Sequence, residues 1–230
     1  LRLVNYGPDY NHRWGSKTAY SQLRVDSLHA ESAAELLATL LGPDPGLAPL
    51  LQMLVRRGNP FFLEETVRTL VETGVLAGKR GAYRLTRPVE ALQVPATVQT
   101  VLAARIDRLP PEAKLLLEAA SVIGKDVPYA LLAAIAELPQ EALRQGLAYL
   151  QETDFLYETQ LFPDLEHTFK HALTHEVAYG SLLHDRRRAL HARVLAAMEH
   201  AGGSRVSLDT ERLAHHASKG EEWGRAAQYL

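Results

Sequence analysis

The chain has 230 residues, enough for one large domain or two to three small ones. Hydrophobic residues make up 47% and charged residues 23%, a globular rather than a disordered composition. With 25 Lys and Arg against 27 Asp and Glu, the formal net charge is -2 and no overall basic excess exists to hold a nucleic-acid backbone or an anionic membrane; the absence of Cys excludes disulfides, thiolate metal sites and cysteine nucleophiles.

Taken in chain order, residues 1–6 read as a short strand broken by Gly7-Pro8-Asp9, and 23–25 as a second. One or two strands cannot bury themselves, so residues 1–26 are expected to be the last piece of a larger α/β core. From Ser27 the pattern turns helical, with Leu36, Leu37, Leu40 and Leu41 at helical spacing. Gly42-Pro43-Asp44-Pro45-Gly46 ends that helix. A second helix is predicted over 47–57, interrupted by Gly58-Asn59-Pro60, and a third runs on to Gly74. Residues 75–85 read as a small hairpin around a Gly-flanked basic turn.

Residues 97–109 are amphipathic, and Pro110-Pro111 ends that helix and starts the next, at 112–122. Residues 124–128 are expected to be a loop. Helices at 129–136 and 139–152 are followed by two β-rich runs, 155–159 and 167–170. Three helices and then a hairpin is the winged-helix order, a variant of helix-turn-helix. Helices at 172–183 and 185–200 close that unit. After a linker at 201–204, helices at 210–218 and 221–230 flank Gly220, in the manner of the first unit of a helical repeat array. The fold class expected is therefore mainly α with small β-hairpins. Its modules are a core remnant at 1–26, a helical lid at 27–95, a winged helix at 96–200 and the start of a TPR-like repeat at 201–230. No apolar run approaches the ~20 residues of a membrane helix. The chain starts at Leu1 rather than Met and ends at Leu230 inside a helical pattern, which reads as an internal piece of a longer protein.

Motif by motif, the chemistry is sparse. The phosphate loop G-x-x-x-x-G-K-S/T is not present: Gly15-Ser16-Lys17-Thr18 has only its last two residues, and Gly74 to Lys79 has the wrong spacing. His171 and His175 stand at metal-ligand spacing, but the second His of H-E-x-x-H is missing after His175-Glu176. Arg186, Arg187, Arg188 and Arg193, with His184 and His191, form a basic stretch that reads either as a solvated helix face or as a contact for phosphate or an acidic partner. The helix that would enter a DNA groove, 139–152, carries Glu141, Arg144 and Glu152, a net charge that repels a duplex. No G-x-S-x-G elbow is present, and no residue is assigned a catalytic or metal role.

Several stretches together carry a family resemblance. They are Val4-Asn5-Tyr6; Gly58-Asn59-Pro60-Phe61-Phe62-Leu63-Glu64-Glu65; Val94-Pro95-Ala96-Thr97-Val98-Gln99; Leu102-Ala103-Ala104-Arg105-Ile106-Asp107-Arg108-Leu109-Pro110; and Phe169-Lys170-His171-Ala172-Leu173-Thr174-His175-Glu176-Val177-Ala178-Tyr179. In this order they resemble the ATPase region of bacterial class III adenylate/guanylate cyclase–ATPase fusion proteins. These belong to the signal-transduction NTPases with numerous domains (STAND), a branch of the AAA+ ATPases.

The resemblance implies an ATP-binding core upstream, with its phosphate loop and magnesium-binding acidic strand, and a lid, winged helix and repeats here. Pro60 would match the Gly-x-Pro proline that packs on adenine; read without the resemblance, Gly58-Asn59-Pro60 is a helix break. His171 would match the winged-helix histidine that reaches the β-phosphate of ADP; otherwise it caps or packs locally. Gly7 departs from the family, whose members carry Arg in an Asn-Tyr-Arg-Pro setting, and this removes a γ-phosphate sensor unless a neighbour such as Arg13 replaces it.

The implied function is an ADP/ATP-dependent regulatory switch that controls an attached cyclase or a protein partner of the repeats. ATP or ADP with Mg would be the cofactor of the whole parent, and none is expected for this chain alone, which would be inactive by itself. The expected location is the cytoplasm. The alternatives are a winged-helix transcription regulator and an interaction scaffold without nucleotide function.

Overall fold

The computed structural model describes residues 28–89, 92, 94–160, 165–201 and 210–229. The strands expected at 1–6 and 23–25, with Gly7 and Arg13, lie outside the described residues. Among the described residues the fold is mainly α, with small antiparallel strand pairs, as the hydrophobic periodicity implies.

Three helices and a hairpin build the first core. α1 (Ala30–Leu41) buries Leu37, Leu40 and Leu41 of the predicted leucines together with Ala33, while Leu36 is only partly buried at the edge of the same core. A single 3-10 turn, Pro45–Leu47, leads into α2 (Ala48–Val55); Asp44 caps that turn by accepting from the Gly46 N–H at 2.8 Å. α3 (Pro60–Glu72) starts on two signals together. Asn59 accepts from the Phe62 N–H at 3.1 Å, and Pro60 occupies the first helical position, where its missing N–H costs nothing. β1 (Leu76–Lys79) and β2 (Ala82–Leu85) form the expected hairpin, in register from Leu76 opposite Leu85 to Lys79 opposite Ala82. Leu37, Leu41, Leu50, Leu54, Leu63 and Leu76 meet in one cluster.

The hairpin turn sits on the end of α1. Gly81 donates to the Leu40 carbonyl at 2.9 Å, and Gly42, with φ of 95°, is in the left-handed region. A Cβ on Gly42 would run into the Gly81 carbonyl oxygen. Gly42→Ala is therefore expected to destabilise the chain by about 1–3 kcal/mol, from backbone strain and a clash that no side-chain rotation relieves. Urea unfolding checks this, and an unchanged midpoint would refute the close approach.

The second core begins on the same helix that closes the first. α4 (Val98–Asp107) places Val101 in the first cluster and Ile106 in the second. α5 (Pro111–Ile123), β3 (Asp126–Pro128), α6 (Tyr129–Ala136), α7 (Gln140–Glu152), β4 (Leu156–Gln160) and β5 (Glu166–Phe169) follow in order. The sheet order is β3-β5-β4, all antiparallel. This is a winged helix with its own short first strand. That strand corrects the loop expected at 124–128. Three residues are too few to show alternation, and β3 exists because β5 supplies its partner. Val127 is fully buried opposite His167, and the Thr168 hydroxyl donates to Asp126 at 2.9 Å. α8 (Ala172–Ser181) and α9 (His184–Ala201) complete the unit.

α10 (Thr210–Lys219) and α11 (Trp223–Tyr229) form a helical pair against α9, where Leu195, Leu213, Ala217 and Ala226 share a small third cluster. No helix among the described residues is long and apolar enough to cross a membrane.

Candidate functional site

Pro60 is exposed at the tip of α3. The next residue, Phe61, packs its ring against the His171 ring, with centroids 4.0 Å apart and planes tilted by 41°. His171 is thus brought to the N-terminal turn of α3, where Pro60 stands, by its contact with the neighbouring Phe61. His171 is the last residue before α8; it sits at the N-cap position in extended backbone, and its side chain makes no capping hydrogen bond. The local-capping reading of His171 is thereby set aside, whereas packing on Phe61 is observed. The ring is partly buried, and among the described residues neither of its nitrogens has a hydrogen-bond partner.

Burial holds His171 below its ordinary pKa; Glu65 and Glu64 pull it up, while Lys170 and Arg68 push it down. An anion arriving at the ring would raise it. The neutral imidazole can donate one N–H to an anionic oxygen, and the protonated ring binds such an oxygen more strongly.

A set of charged side chains joins the elements that carry this contact, and no sequence motif assigns any of them a role. Arg105 of α4 is 2% exposed. It grips Glu72 with both Nε and Nη2, at 3.1 and 2.7 Å, pairs with Glu65, and donates to the Thr153 carbonyl at 2.9 Å. Its guanidinium also stacks 4.6 Å over Phe155. Burial alone would lower its pKa, but Glu72 and Glu65 outweigh that and hold it above the usual value. Arg68 of α3 donates to the same Thr153 carbonyl at 3.0 Å and pairs with Asp154, which also holds Lys170 at 3.1 Å. Burial pushes the Asp154 carboxyl up, yet Lys170 and Arg68 win and keep it below the usual carboxylate range.

The metal spacing of His171 and His175 is not realised. His175 directs Nε2 to the Ser121 carbonyl at 2.9 Å and sets its ring edge-on to Phe169, a structural role at the end of α5. No group of three metal-ligating side chains comes together among the described residues. The basic stretch is largely consumed within the chain. Arg187 stacks on Tyr179 at 4.8 Å, Arg188 pairs with Glu221 at 3.1 Å, and Arg193 pairs with Glu137 at 2.9 Å while donating to the Ile135 carbonyl at the end of α6. On α7, the Gln145 amide donates to the Glu141 carboxylate at 2.9 Å, so this amide is engaged within the helix instead of being free to read a base.

No family model matches the chain. A curated protein of Rhizobium meliloti (strain 1021), described as uncharacterized protein R02095, is similar to it, with 26% identity over 225 residues. The match covers 95% of this chain and 21% of that protein, so the chain spans about a fifth of the length of the relative it matches.

Proposed function

We propose that this chain is the lid, winged helix and first repeat helices of a STAND-type signalling ATPase, and that it serves as an ADP/ATP-dependent switch. The observation that carries this reading is the 4.0 Å contact of Phe61 with His171, which brings the histidine to the end of α3 that begins with the exposed Pro60. These are the groups needed to meet the base and the β-phosphate of one nucleotide. Pro60 offers rigid apolar surface without a backbone donor, and His171 offers an N–H to phosphate. They fit the nucleotide's outer face only. The phosphate loop and the magnesium ligands belong, in this reading, to a core preceding the lid.

ADP held between that core, Pro60 and His171 would keep the winged helix docked, and exchange for ATP would release it. Such a switch requires a nucleotide with different affinity for the two states, and a contact made in only one of them supplies the difference. The output would pass to the α10–α11 side, to a protein partner or to an attached nucleotide cyclase, in the cytoplasm. In the whole parent protein, His171→Ala is expected to weaken ADP retention about 10- to 100-fold, the range of one hydrogen bond to a charged group. Unchanged ADP affinity and off-rate would remove His171 from the mechanism.

A further inference from the structure

We propose that Asp154 is the positioning residue that seats His171 against the tip of α3, and so sets whether the winged helix can close on a nucleotide there; the second half of this statement rests on the function proposed above.

The geometry is a closed ring of contacts. Phe61 and Arg68 stand seven residues apart on α3, two turns along one helical face. Arg68 pairs with Asp154, Asp154 holds the Lys170 ammonium at 3.1 Å, and Lys170 leads directly to His171. His171 closes the ring by stacking on Phe61. Besides the stacking of Phe61 on His171, the Asp154 carboxylate is what joins α3 to the end of β5 in this ring. Without it Arg68 and Lys170 would be two neighbouring cations with no common anion, and they would repel.

The backbone at this turn is built to present that carboxylate. Asp154 has φ of 61°, left-handed backbone that Asp and Asn tolerate better than most residues. The Asp154 N–H donates to the Gln151 carbonyl at 3.0 Å, ending α7, while the Thr153 carbonyl is turned toward both Arg68 and Arg105. The strand beyond is tied as well, since Lys170 N–H donates to the Phe155 carbonyl at 3.2 Å. Main-chain bonds therefore place Lys170 near the turn, and the carboxylate decides where its side chain, and the ring after it, come to rest. The groups facing His171 are Glu64, Glu65 and Arg68 from α3 and Lys170 from the end of β5.

The test separates charge from backbone. Asp154→Asn keeps the size and the left-handed preference and removes the charge. In the 230-residue chain, with His171 assigned by loss of its signals in His171→Gln, proton NMR reads the His171 ring directly. In D154N the upfield ring-current shift from Phe61 is expected to disappear. The His171 titration midpoint is expected to rise toward its ordinary value as burial is relieved, and Arg68→Gln should reproduce the loss of the ring-current shift, its midpoint rising in any case because a cation near the ring is removed. A general loss of packing would move every histidine; here His175 and His191 should stay in place.

If His171 keeps its ring-current shift in both D154N and R68Q, the carboxylate does not seat it and the proposal falls. In the parent protein, ADP retention should drop in D154N, and D154N/H171A should lose no more than H171A alone. A parent that binds no ADP at all, with the NMR changes still present in D154N, would retire the nucleotide reading and confirm the seat.

Discussion

Replacing Arg105 with Ala is expected to lower the unfolding free energy by about 3–5 kcal/mol, the range for breaking a buried ion pair from one side. The size follows from what is left behind. Glu65 is 4% exposed and loses its guanidinium partner, and no other cation lies against it on α4. Glu72 is one-third exposed and can be rehydrated, so it contributes less. The Thr153 carbonyl keeps Arg68 at 3.0 Å, but Phe155 loses the flat cation stacked on it. Arg105 thus joins α3, α4 and the turn after α7, and its removal loosens the two cores from each other as well as lowering stability.

Arg105→Lys should recover only part of the loss, since one ammonium cannot grip Glu72 in a fork and reach Glu65 and Thr153 together. Glu65→Gln in the Arg105→Ala background should restore stability, because it removes the unpaired charge that the first substitution strands in the interior. Urea unfolding of the four proteins in the cycle measures this. A loss below about 1 kcal/mol for Arg105→Ala would mean that water reaches Glu65, and that the pair has the modest value of a surface bridge.

Much of the helical framework was legible because each helix announces itself locally. The Leu36 to Leu41 stripe, the Asn59-Pro60 start and the Pro110-Pro111 junction are short-range signals, and the structure shows helices at each. The hairpin at Gly78 to Gly81 was legible for the same reason. β3 was not. Its three residues hold no alternation and are extended only because Thr168 and His167 pair with them across 42 and 40 positions. The candidate site divides in the same way. Pro60 and His171 were reached through motif resemblance, but Phe61 between them reads only as an apolar helix residue until β5 brings His171 to it.

Arg105 stands in a stretch that carries the resemblance but gains no role from it, and Arg68 and Asp154 lie outside every such stretch. In sequence a buried arginine is indistinguishable from a solvated one, because its partners, Glu65 and Glu72, are set by the packing of α3 on α4 and not by spacing along either helix. The same blindness explains the basic stretch on α9. Four arginines within eight residues suggest a surface for anions, yet three of them answer to Tyr179, Glu221 and Glu137 of the same chain.

Lowering the pH from 7.5 to 5 is expected to undock α10–α11 from α9, and the cause is a pair of histidines. His191 of α9 is fully buried and His216 of α10 is 2% exposed; their Nδ1 atoms face each other at 2.9 Å. Such a contact needs one nitrogen to donate and the other to accept, so the pair is made for two neutral rings of opposite tautomer. With His191 donating from Nδ1, its Nε2 accepts from the Tyr179 hydroxyl of α8 at 2.9 Å, and the relay is complete without a proton to spare. Burial, His216, His215, Lys219 and Arg187 push His191 down to about 3. Burial, His215 and Arg212 push His216 down to about 4.

The sign follows from linkage. In the unfolded or undocked chain both rings titrate near their ordinary ~6.5, so below that pH the open state binds more protons than the docked one. Stability from the pair is full above ~6.5 and falls as the pH drops toward the depressed values, by about 2 kcal/mol per histidine at pH 5. The rest of this junction is a small apolar cluster around Leu195, Leu213, Ala217 and Ala226, with the Arg188–Glu221 and Arg225–Glu199 bridges and the Tyr229–Glu199 hydrogen bond at its exposed edge. Docking should therefore fail before either larger core unfolds. Amide hydrogen exchange in α10, corrected for the intrinsic pH dependence, should show loss of protection at pH 5 while α5 stays protected. His216→Gln, which can still face His191 with an amide, should retain docking at neutral pH and lose about half of the acid response. Equal protection of α10 at both pH values would show that the docked pair accepts a proton without cost, which a shared proton between the two Nδ1 atoms would allow and two separately buried charges would not.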